Sequence, residues 1–236
     1  MKEITDIIEE IVNNLDYTIE IKSVTDLGDD VKQLGVCNTL HIQPQCSTVV
    51  INATVYEVGN ILNNEWIQIT TPDTINVGDI IEVTPPKYFH GTIPATNQEL
   101  SEIKADSDKL PMVYLFEVID EDFIYNEEDI TQRESRLVLF FLAGADFQNW
   151  YTDDHYNGAI LPMRNLNFLF LDYIDGQRCT FQEMERVKVK NHAKWGLYRG
   201  EKGHEKNLFN DQLSGTECRI TLKVNKNLAS NEACNC

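Results

Sequence analysis

Six consecutive apolar residues, Leu137-Val138-Leu139-Phe140-Phe141-Leu142, constrain this chain more than any other feature. A strand with one wet face is apolar at every second position, and this run has no polar face at all. It has to be covered on both sides, by layers of its own fold or by a second subunit. It is far too short to cross a membrane as a helix, and no stretch approaches about 18 consecutive apolar residues. Just before it lies the most acidic part of the chain: Glu117, Asp120, Glu121, Asp122, Glu127, Glu128, Asp129 and Glu134, with Arg133 the one base among them. Such a segment reads as a solvated loop or the tip of a hairpin whose return strand is the apolar run.

The periodicity elsewhere predicts an α+β fold, mainly antiparallel. Ile4, Ile7, Ile8, Ile11, Val12 and Leu15 recur at helical spacing, which predicts a helix over 3–16 with one apolar stripe. Tyr17, Ile19 and Ile21 alternate with polar residues, the period of a half-buried strand. From 36 to 95 the pattern is purely β. A long strand is expected over Val49–Val58, with further strands at Trp66–Thr70 and Ile80–Val83, separated by Gly, Asn and Pro turn chemistry. This segment is read as a small β-barrel or sandwich module inserted into a main domain formed by residues 1–35 and 96–236. Another strand is expected from Met112 to Ile119, a second helix around Leu161–Asp175, and closing strands at Val187–Trp195 and Glu217–Val224. No period of 20–50 residues repeats, which excludes a solenoid.

The chemistry of the chain is sparse. It carries 38 acidic against 20 basic residues, a formal charge of −18, and no basic stripe is evident. That balance argues against nucleic-acid and anionic-membrane binding. The chain runs from Met1 directly into an amphipathic pattern, without an apolar leader, so its six cysteines are expected as free thiols in a reducing cytoplasm. No Gly-rich phosphate loop, G-x-S-x-G or H-E-x-x-H occurs. We therefore expect no catalytic residue, no cofactor and no bound metal.

Five segments carry a resemblance: Tyr88-Phe89-His90-Gly91-Thr92, Leu110–Glu117, Asn149–Met163, Lys194-Trp195-Gly196 and Leu213–Val224. Together they resemble structural proteins of crAss-like tailed bacteriophages, which infect gut Bacteroidota. The order of helix, sheet with long hairpin and second helix also resembles tail-terminator and head-to-tail connector proteins; the module at 36–95 departs from that pattern. The resemblance implies a non-enzymatic virion protein, assembled in the host cytoplasm. It would form a homo-oligomeric ring in the neck or tail, contacting portal or tail proteins, with genomic DNA passing through its lumen unbound. Closed rings need two different, complementary surfaces on each copy. Leu137, Leu139, Phe140, Phe141, Trp150 and Trp195 are the candidates for such contacts. Asp120, Glu121, Asp122, Glu127, Glu128 and Asp129 are the candidates to face the channel.

Two other readings compete. A baseplate or carbohydrate-binding module would use exposed aromatics such as Trp66 and Tyr88. A metal-dependent hydrolase would use Asp153, Asp154 and His155, with Cys179.

Overall fold

The computed structural model describes residues 2–104, 109–117, 119–126, 129–178, 180–182, 184, 186–199 and 205–225. The fold is α+β with mainly antiparallel strands. Helix α1 (Ile4–Asn13) buries Ile4, Ile7, Ile8, Ile11 and Val12, the stripe its sequence spacing sets up. Seven strands follow: β1 (Thr18–Glu20), β2 (Ser23–Gly28), β3 (Val31–Gly35), β4 (Thr48–Ile51), β5 (Thr54–Leu62), β6 (Trp66–Thr70) and β7 (Ile80–Val83). They form one curled half-barrel sheet in the order β1-β7-β4-β5-β6-β3-β2. Its inner residues, among them Leu34, Val49, Ile51, Ile67, Ile69 and Ile81, are fully buried.

The second sheet contains β8 (Lys87–Gly91), β9 (Met112–Phe116), β10 (Asp120–Asn126), β11 (Asp129–Gly144), β12 (Val187–Trp195) and β15 (Leu213–Asn225). Its order is β12-β15-β11-β9-β8, with β10 also paired to β11. Every pairing is antiparallel except β8 with β9, whose parallel register is reached through helix α2 (Ile93–Glu102). Strands β13 (Leu197–Arg199) and β14 (Glu205–Asn207) make a small hairpin beside it. Helix α3 (Thr152–His155), a π-helical turn (Tyr156–Ile160) and helix α4 (Leu161–Gly176) cover one face.

Sequence boundaries and sheet boundaries differ. The half-barrel begins at β1, so the strands before residue 36 belong with it, and β8, read as part of the module, joins the other sheet. One continuous core joins α1, the half-barrel, the second sheet and α4. The long strand expected over Val49–Val58 is two strands. Asn52 and Ala53, with φ of 52° and 63°, turn the chain between β4 and β5.

The second sheet has unequal faces. On the inner face, Leu137, Leu139 and Phe141 of β11 and Cys218, Ile220 and Leu222 of β15 join the main core. On the outer face, a smaller core of Phe89, Leu100, Met112, Tyr114, Leu142, Trp195, Phe209 and Leu213 covers one end. The other end carries no helix among the described residues and is built from polar ladders.

Candidate interaction surfaces

Alternation along β11 assigns its residues to faces, and with them the candidates read from sequence. Leu137, Leu139 and Phe141 are at most 2% exposed inside the chain's own core, so they are withdrawn as contact residues. The two-sided apolar run is explained by two intramolecular layers, not by a partner. Trp195 is also buried, packed on Phe209 and Phe140 with ring centroids 4.8 and 4.9 Å away. Trp150 is half-buried and meets the His155 ring edge-on at 5.4 Å. Of the six, Phe140 keeps an open side: with Ile93, Phe116, Val138, Trp195, Gly196, Leu208 and Arg219 it lines an apolar groove of about 420 Å³. The groove lies where the small outer core gives way to the bare ladders.

Those ladders follow from the register. Asp120 lies opposite Arg136, and Asp122 opposite Glu134, on β10 and β11. Arg136 bonds Asp120 at 2.8 Å and Asp122 at 2.9 Å. Glu134 stands opposite Lys223 of β15, and Val138 opposite Arg219. Arg219 stands opposite Lys188 of β12, and Glu217 opposite Lys190. Glu217 accepts from Arg219 and, at 2.8 Å, shares a hydrogen bond with His192. Burial works against the Glu217 charge, but these two partners outweigh it and hold its carboxyl below the usual carboxylate range. The channel candidates thus divide. Asp120 and Asp122 are exposed on the outer face, whereas Glu121 is turned inward onto Arg133 and Ser135. Asp129 opens β11 opposite Asn126. Glu127 and Glu128 lie outside the described residues.

Three strands of this sheet, β8, β10 and β12, have one strand partner among the described residues, and β10 and β12 bound the polar ladders. The β10 edge exposes Phe123, Ile124 and Tyr125 beside its acids. The β12 edge is basic: Arg186, Lys188 and Lys190 are exposed, with no ion pair among the described residues. This overturns the expectation that no basic stripe exists. The signal was legible, because Arg186, Lys188, Lys190 and His192 recur at the strand period of two; a count of net charge averages it away. Lys194 follows the bulge after His192 and is tied instead to the Phe147 carbonyl, at 2.9 Å.

The residues of the competing readings do not converge. Asp154 caps α3 by accepting the Tyr151 N–H at 2.8 Å, and Asp153 is exposed. His155 turns into the core, where its Nδ1 meets Ser214 Oγ at 3.0 Å. Ser214 donates its proton to the Ala193 carbonyl, so it accepts from Nδ1–H and leaves Nε2 without a partner. Burial and the Lys194 charge push the His155 pKa down. Cys179 lies outside the described residues. No group of three or more His, Cys, Asp or Glu among the described residues is placed to hold a metal. Tyr88 is half-buried and donates to the Thr5 carbonyl at 3.1 Å, and Trp66 is half-buried in β6.

A cleft of about 530 Å³ between the sheets brings Trp150 near Gln43, Asp146, Asn210, Asp211 and Gln212. Their polar groups are already engaged: Gln43 bonds the Gly158 carbonyl, Gln212 accepts from Phe147, Asp211 holds Lys109, and Asp146 caps its own turn. Comparison with protein families and with curated proteins found no match. No helix among the described residues is long and apolar enough to cross a membrane.

Proposed function

We propose that this chain is a non-enzymatic structural subunit of a tailed-bacteriophage virion, forming a homo-oligomeric ring in the neck or tail. One observation carries the reading: among the described residues the second sheet presents an acidic edge at β10 and a basic edge at β12 on one subunit. A ring built by rotation needs two different surfaces that fit each other, and these two edges supply them. The resemblance of Tyr88–Thr92, Asn149–Met163 and Leu213–Val224 to structural proteins of crAss-like phages supports a virion role, and the element order, similar to that of tail-terminator and head-to-tail connector proteins, supports the neck or tail. There the portal and tail proteins would be its neighbours. The acid excess of the chain suits a lumen wall along which DNA slides without adhering.

Negative-stain electron microscopy and native mass spectrometry of the purified chain test this. Closed rings of one defined copy number are the expected result. A monomer that binds a sugar on a glycan array would favour the binding-module reading, with the Trp150 cleft as its site. A monomer holding one equivalent of transition metal would favour the hydrolase.

A further inference from the structure

We propose that β10 of one copy pairs with β12 of the next, so that the second sheet continues from subunit to subunit. The inference rests on the ring reading and names its contact. Strand direction permits it. Along β12-β15-β11-β10 each neighbour is antiparallel to the last, so a following β12 in the same orientation meets β10 antiparallel and keeps the alternation. Length permits it as well, since β10 has seven residues and β12 nine.

The side chains match face by face. On the outer face β10 presents Asp120 and Asp122, which with Glu134 share the single guanidinium of Arg136. On the same face β12 presents Lys188 and Lys190, unpaired among the described residues. On the inner face β10 exposes Phe123. The β12 side exposes Val187 and, on the neighbouring α4, Phe168. Lysines on an edge strand normally prevent pairing with any other edge. Here they exclude every partner except an acidic one, and the acidic edge is carried by the same chain. Main-chain hydrogen bonds would supply affinity and the opposed charges the register.

Charge reversal tests the contact in the full chain. Lys188→Glu/Lys190→Glu makes both edges acidic; Asp120→Lys/Asp122→Lys makes both basic. Neither pair of changes touches the core, and exposed ion pairs contribute little to folding; circular dichroism and thermal melts check that both variants fold. Each variant alone should lose self-association by at least tenfold in apparent Kd. Mixed one to one, the two should recover association, because each acidic edge of one variant then finds a basic edge on the other. If the wild type forms rings and both variants form them equally well, the edge pairing is wrong and the ring reading stands. If the wild type stays monomeric, the ring reading fails and the pairing with it. A wild type that stays monomeric and binds a single-stranded oligonucleotide, with binding lost in Lys188→Glu/Lys190→Glu, would instead assign β12 to nucleic acid and overturn the pairing.

Discussion

Arg133 grips Glu121 with both arms of its guanidinium, Nε to Oε1 at 2.6 Å and Nη2 to Oε2 at 2.7 Å, while Nη1 donates to the Lys2 carbonyl at 2.8 Å. One side chain therefore ties β10 to β11 and both to the segment that enters α1. It is 4% exposed, so removing it strands a carboxylate in a partly dry site. Arg133→Met should cost about 3 kcal/mol by urea denaturation. Adding Glu121→Leu should recover part of that loss, because no uncompensated charge then remains.

Phe140 and Phe141 separate fold from assembly. Phe141 is fully buried and meets Phe170 at 5.7 Å. Phe141→Ala should lower the stability of the monomer by about 3–5 kcal/mol. Phe140, half-open at the groove, should cost less when truncated. Equal losses in paired denaturation curves would mean that the groove side is as tightly packed as the core.

His41 gives the fold an acid limit. Its Nε2 meets the Thr84 carbonyl at 2.8 Å and its Nδ1 has no partner. Burial lowers its pKa from 6.5 to about 4, so the ring is neutral in the fold. The unfolded chain takes up a proton that the fold refuses. Stability from this group is complete above pH 6.5 and is lost as pH falls from 6.5 to 4, by about 2 kcal/mol at pH 5 and about 3 kcal/mol below pH 4. Urea midpoints for His41→Gln should fall less between pH 6.5 and 5 than those of the wild type, the remaining fall coming from His155.

Glu121 and Glu217 act in a lower window. Each is held below the usual carboxylate range: burial opposes the charge, and Arg133 with Ser135, or Arg219 with His192, outweighs burial. Their contribution is present above about pH 4.3 and disappears as pH falls through the lower folded value. Glu121→Gln should shrink the stability loss of the wild type below pH 4.3 and leave the His41 window unchanged.

Gly215 permits β15 to lie against β11. A Cβ there would stand 2.0 Å from the Phe141 carbonyl oxygen, and β15 is paired to β11 on one side and β12 on the other. Gly215→Ala should cost at least about 3 kcal/mol, more than ordinary overpacking, because the clash is with main chain. A thermal melt within a degree or two of the wild type would refute this.

Much of the fold was legible in the sequence, wherever one face is wet and the other dry. The isoleucine stripe of α1, Trp66–Thr70, Ile80–Val83 and Val187–Trp195 all show in periodicity alone. The turn at Asn52-Ala53 did not, because Ala is an unusual residue for positive φ and Val49–Val58 is rich in β-branched residues. Sheet membership was hidden too. β1–β3 fall within residues 1–35, read as part of the main domain, until their pairing with β7 and β6 is seen, and pairing is nonlocal. The apolar run 137–142 showed that two covers were needed but not whose they were. The structure supplies both from within: α4 with the main core on one side, and Trp195 with Tyr114 on the other. The acidic strand was visible as composition. Its basic counterpart shows only when Arg186, Lys188 and Lys190 are read at the strand period of two, which a count of composition averages away.

The register of β11 against β15 also sets an order of events at the ribosome. β11 is synthesised long before the strand that covers its flank, and among the described residues β12 pairs with β15 alone. The second sheet therefore cannot close until Leu213–Asn225 has emerged. A nascent chain stalled before that point holds Leu137, Leu139 and Phe141 without their neighbours Cys218 and Ile220. The last strand works as a clasp, and chaperone demand should peak just before it arrives.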